Sequence, residues 1–132
     1  MAQMESQRFS LQPFIPAMGD QLTDEMRACI SQCMSCSAIC TQAMTYCLRK
    51  GGRFASVEVI RMLEDCSRIC AMSAGFLLRG SPMHTRTCAV CAEVCERCAV
   101  ECERMGDDPA MKACAEACRR CAESCRKMSA SA

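Results

Sequence analysis

Residues 88–102 read CAVCAEVCERCAVEC. Cysteine falls at 88, 91, 95, 98 and 102, so the steps are 3, 4, 3 and 4. A helix brings residues three and four apart onto one face, whereas a strand needs a period of two. The stretch is therefore an α-helix with a stripe of thiols along one side. Glu93, Arg97, Glu101 and Arg104 fall on its other faces and read as the solvated side.

The same spacing appears on both sides of this segment. Upstream stand Cys29, Cys33, Cys36 and Cys40, with Cys47 seven further on and Ala43 where the stripe skips a step. Downstream stand Cys114, Cys118, Cys121 and Cys125. Between them lies a cysteine-poor segment with only Cys66 and Cys70, its stripe extended by Val59, Met62 and Leu63 on one side and by Ser73 and Leu77 on the other.

Three breaks divide the chain, at 50–53 (KGGR), 79–82 (RGSP) and 106–109 (GDDP). Each puts Gly just past a periodic segment, where a helix C′ residue belongs. Asp108 and Pro109 form the usual N-cap and N1 start of the last segment. The predicted helices are roughly 23–50, 54–79, 83–105 and 109–128. Gly75 is the interior blemish, at about 1 kcal/mol against Ala if exposed.

Short connections make successive helices antiparallel neighbours. The expected fold is all-α: an antiparallel up-down-up-down four-helix bundle over 23–132 with inward-facing cysteines. Residues 1–22 form an N-terminal arm, in which Phe9, Leu11, Phe14 and Ile15 suit a short docked helix or an extended cover.

Composition makes the thiols the subject. The chain has 132 residues, enough for one domain, and 16 cysteines, far above ordinary usage. Leu, Ile, Val and Phe together number only 20 and Trp is absent, so core volume must come from Cys, Ala and Met. The net charge is +1, which leaves no basic footprint for nucleic acid or an anionic membrane.

The first twenty residues, MAQMESQRFSLQPFIPAMGD, are interrupted by Glu5, Arg8, Pro13 and Pro16 and lack the apolar h-region of a secretory signal. No stretch approaches the ~18 apolar residues of a membrane span. The expectation is a cytoplasmic chain, where disulfides are rare and thiols serve metal or redox chemistry.

Burial alone does not call for eleven CxxC or CxxxC steps, since Leu packs a bundle better. Thioredoxin-like chemistry wants a single CxxC in a βαβ setting, whereas CxxC occurs here at Cys33/Cys36, Cys88/Cys91, Cys95/Cys98 and Cys118/Cys121. A disulfide framework needs an oxidising compartment, and thiols along one helix face do not in general point at each other.

Metal binding remains, and charge helps to choose the metal. Four tetrahedral Zn(II) sites would bring +8 against the −16 of sixteen buried thiolates. Cu(I) is soft and thiolate-loving, and bridging thiolates would hold about one ion each, leaving the core near neutral. Iron–sulfur clusters want four ligands around a compact cube, not stripes running the length of a helix.

With these residues in view, the chain resembles the bacterial copper storage proteins, which are cysteine-lined four-helix bundles. The likeness is carried by Cys29–Cys33–Cys36–Cys40, Cys66–Cys70, Cys88 to Cys102 and Cys114 to Cys125, over roughly residues 23–128. It implies storage of multiple Cu(I) ions, a homotetramer and, for members without a signal peptide, a cytosolic location. The rival is a metallothionein-like Zn(II) buffer.

The expected metal ligands are all sixteen cysteines: Cys29, Cys33, Cys36, Cys40, Cys47, Cys66, Cys70, Cys88, Cys91, Cys95, Cys98, Cys102, Cys114, Cys118, Cys121 and Cys125. Antiparallel register gathers Met26, Met83, His84 and Met128 with Cys29, Cys88 and Cys125 at one end. It gathers Met44, Met105 and Met111 with Cys47, Cys102 and Cys114 at the other, near Leu48, Phe54 and Val57.

The His84 end is the expected mouth, with His84, Met26 and Met83 as entrance ligands, because imidazole and thioether can hand a soft ion to the first thiolates. No enzyme is expected. One histidine builds no multi-His metal site, and sixteen equivalent cysteines single out no nucleophile.

Overall fold

The structure is a computed structural model and describes residues 22–130. The arm 1–22 lies outside the described residues except for Leu22.

Among the described residues four α-helices follow one another: α1 (Asp24–Lys50), α2 (Val57–Leu78), α3 (His84–Glu103) and α4 (Pro109–Ala130). Their starts are fixed locally. The side chains of Thr23, Ser56 and Asp108 accept from the backbone N–H of Met26, Val59 and Met111, each satisfying one donor that a helix start leaves orphaned. α1 stops at Gly51, whose φ of 74° suits glycine and whose N–H bonds the Cys47 carbonyl. The predicted start of the second helix at 54 is replaced by a 3-10 turn over Gly52–Ala55, and the α-helix proper begins at Val57.

The helices form a ring in which α1 packs on α2 and α4, and α3 packs on α2 and α4. Direction is read from paired thiols. Cys29 meets Cys125 at 3.7 Å while Cys40 meets Cys114 at 3.9 Å, so α1 and α4 run antiparallel. Cys70 meets Cys91 at 3.7 Å while Cys66 meets Cys95 at 3.7 Å, so α2 and α3 do too. The fold is the antiparallel four-helix bundle expected from the spacing.

All sixteen cysteines are buried, and among the larger side chains of the described residues only Ile30, Leu63, Leu77 and Met111 are fully buried with them. Small residues let the helices close on this narrow core. Ala92 and Ala99 of α3 and Ala115 and Ala122 of α4 are buried beside the thiols, inside a rim where Glu96 pairs with Arg126 and Glu103 with Arg119. Ser67 pins α2 to α1 by donating to the Ser37 carbonyl at 3.0 Å and meeting the Thr41 hydroxyl at 2.6 Å.

Gly75 also has a local role. A Cβ there would lie 3.0 Å from the guanidinium of Arg79, which stacks 4.9 Å from the Phe76 ring. Among the described residues no helix is long and apolar enough to cross a membrane.

Candidate metal centre

Helical steps of three and four aim each stripe at the bundle axis, and four stripes meeting there bring sulfur against sulfur. Near the α3 start, Cys29, Cys88 and Cys125 lie within 4.8 Å of one another. Next along the axis come Cys33, Cys91, Cys121 and Cys125, then Cys70, Cys91, Cys95 and Cys121. Two more sets follow: Cys36, Cys66, Cys70 and Cys95, then Cys36, Cys40, Cys66 and Cys118. All sixteen thiols are free, and the contacts run from 3.6 Å (Cys33 to Cys125) to 3.9 Å (Cys36 to Cys40), far above the ~2.05 Å of a disulfide.

Neighbouring sets share members. Cys91 and Cys121 belong to two sets, as do Cys70 and Cys95, Cys36 and Cys66, and Cys125. The five sets thus draw on twelve cysteines, whereas five separate four-thiol sites would need twenty. Spacing alone would not separate the metals. A tetrahedral zinc–thiolate site with bonds of ~2.3 Å has sulfur–sulfur edges of about 3.8 Å. A near-linear site spans about twice such a bond, roughly 4.6 Å, within the 4.8 Å that bounds each set. Charge is what distinguishes them: one monovalent ion per thiolate leaves the core neutral, whereas five divalent ions on these twelve thiolates leave two charges uncompensated.

The core chemistry continues past these sets. The neighbouring thiols of Cys102, then Cys118 and Cys40, hold the Cys114 thiol down at about 6 against the effect of burial. Cys102 is pushed up, first by its neighbour Cys114. One turn beyond, the Cys47 thiol donates to the Met111 thioether at 3.5 Å and is pushed up to about 11, chiefly by burial.

The two ends differ. At the α1 C-terminus, Asp108 Oδ2 accepts from the Tyr46 hydroxyl at 2.5 Å and from Lys50 Nζ at 2.7 Å, while Lys50 lies 4.6 Å from the Phe54 ring centre. Tyr46 and Phe54 there pack partly buried against the core. Leu48 and Val57, expected beside it, are exposed. At the other end His84 is half-buried, and its Nδ1 lies 2.8 Å from the Ser81 carbonyl. Met83 is 45% exposed, and Met26 packs partly buried against the core. Register thus brings Cys29, Cys88 and Cys125 together as expected, but His84 is in none of the sets among the described residues.

The Tyr46–Asp108–Lys50 network was not foreseen in the sequence, where Asp108 reads only as a cap. The Cys47–Met111 contact had a signal, since both residues were gathered at one end by register.

A helical bundle with a continuous core of free, mutually overlapping thiols defines a multi-thiol metal-binding protein. The family model described as copper storage protein matches residues 22–130, and the chain belongs to that family. Among solved structures, the Nmul_A1745 protein of Nitrosospira multiformis is 40% identical, with a TM-score of 0.78 over 83% of this chain and all of the other. The Cu(I)-bound copper storage protein BsCsp3 of Bacillus subtilis is 36% identical, with a TM-score of 0.75 over 80% of this chain and 99% of the other.

A cytosolic copper storage protein from Streptomyces lividans, loaded with five coppers, is 31% identical, with a TM-score of 0.73 over 81% of this chain and 93% of the other. The uncharacterized cysteine-rich protein YhjQ of Bacillus subtilis (strain 168) is 38% identical over 69 residues. That is 52% of this chain, and the match spans 64% of the relative's length.

Proposed function

We propose that this protein stores many Cu(I) ions on its sixteen core cysteines and so buffers or sequesters cytosolic copper. The observation that carries the reading is the sharing of thiols between neighbouring sets. A thiolate that serves two ions is half neutralised by each, and a monovalent ion per thiolate brings the core close to zero charge. Divalent zinc at four thiolates per ion would leave uncompensated charge away from water, at several kcal/mol per ion. The charge balance, together with the Cu(I)-bound relative, therefore supports Cu(I) over the zinc alternative, and the number of free thiols supports storage over catalysis.

Copper enters at the His84 end in this reading. The Nδ1 contact to the Ser81 carbonyl fixes that nitrogen as the N–H and presents Nε2 to an ion. Antiparallel register gathers Met83 and Met26 at the same end, whereas the opposite end carries the Tyr46–Asp108–Lys50 network. The cytosolic setting is supported by the Streptomyces relative's description. Assembly as a homotetramer rests on the family resemblance, and light scattering on the purified protein tests it.

Anaerobic titration of the reduced protein with Cu(I), and separately with Zn(II), followed by metal analysis, tests the function. About one Cu(I) per cysteine and far fewer zinc ions are expected. Saturation at one to four Cu(I) would replace storage with a discrete-site sensor or chaperone.

A further inference from the structure

Cys47 stands apart from the overlapping sets. It follows Cys40 by seven residues, and the buried Ala43 fills the step between, so the α1 stripe is broken there. Among the described residues Cys47, like Cys98, Cys102 and Cys114, belongs to no set of three or more thiols, and unlike Cys114, which lies 3.9 Å from Cys40, its sulfur contact is not a thiol. Its Sγ lies instead 3.5 Å from Sδ of Met111, and both side chains are fully buried. Leu would fill the same volume as Met111 with less conformational freedom. What methionine adds at this place is a soft sulfur turned to a thiol.

We propose that Cys47 and Met111 form a separate mixed thiolate–thioether site for one Cu(I) ion, which fills after the all-thiolate sets. This deepens the storage reading and rests on it. On binding, the ion replaces the Cys47 thiol proton, which leaves to solvent, and one thiolate with one Cu(I) is neutral. A near-linear site needs the two sulfurs roughly 4.6 Å apart, and methionine's three rotatable side-chain bonds allow that opening. Two features place the site last in order. A neutral thioether holds the ion less firmly than a second thiolate, and ions from the His84 end meet every other thiol first. Thioether sulfur suits Cu(I) and not Zn(II), so this site excludes zinc whatever the thiolate sets accept.

Reduced full-length protein carrying 13C-methyl methionine, titrated anaerobically with Cu(I) and followed by NMR, reads the site directly, with Met111→Leu assigning the resonance. The Met111 methyl signal is expected to hold still as the first ions enter and to move with the last, while Zn(II) leaves it unmoved. Met111→Leu should weaken the last-filling ion by about tenfold or more and leave earlier ions unchanged. Normal copper uptake with a Met111 signal that never moves, or that moves with the first ions, overturns the proposal. Failure to take up copper at all would instead overturn the storage reading beneath it.

Discussion

Each mid-bundle thiol has several sulfur neighbours, so losing one removes a ligand but not a site. Cys95 contacts Cys66, Cys70 and Cys91, and Cys118 contacts Cys36, Cys40 and Cys66. Cys95→Ala or Cys118→Ala should therefore lower Cu(I) capacity only slightly, as counted by metal analysis. Deleting one buried heavy atom should cost about 0.5–1.5 kcal/mol of stability in the metal-free protein; abolished binding would point to one privileged cluster. Asp108 differs, being a single residue that caps α4 and ties down Lys50 and Tyr46. Lys50, then Tyr46, holds its carboxyl at about 2, below the ordinary 3.8. A depressed carboxyl contributes stability above its unfolded pKa and loses it as pH falls through the folded one. Thermal melts of the metal-free protein should thus show wild type more stable than Asp108→Asn above pH ~4, with the gap closing toward pH ~2. A gap that persists at the acid end would mean the charge on Asp108 is not what stabilises.

Among elements, α3 was the most legible, because five cysteines in unbroken three-four steps admit no other structure. The breaks were legible too, from Gly51 past one helix to Asp108 before another. α2 gave less away. Its stripe is mostly Val59, Leu63, Ser73 and Leu77, and Met62, placed on that stripe, is only half-buried. Spacing within one helix also says nothing about partners on others. The set of Cys36, Cys66, Cys70 and Cys95 needs three helices in register, and only the packed bundle brings them together. Helix ends carry the test of uptake. Replacing His84 with Ala and Met26 and Met83 with Leu should slow Cu(I) transfer from a competing chelator several-fold while final capacity stays the same. Met44→Leu with Met105→Leu at the opposite end should matter less. Slowing from the Met44 end alone would move the mouth there.

As a whole, the molecule has a core before any metal arrives. Neutral thiols pack as small apolar groups, and among the described residues no buried side-chain nitrogen or oxygen lacks a hydrogen-bond partner. Circular dichroism of the reduced, metal-free protein should show a mostly helical chain, unlike zinc fingers, which fold only with their ion. A coil spectrum that turns helical on adding copper would contradict this. The overlap of neighbouring thiol sets has one more consequence. An ion held by two sulfurs that each also serve the next position can exchange one partner at a time, so it never stands without a ligand while it moves. In a part-filled bundle the vacancy travels instead, passed from Cys125 through Cys121, Cys70 and Cys36 like a gap in a queue. Withdrawing copper at the Cys125 end would thereby be felt as far along the bundle as Cys36 without any helix having to open.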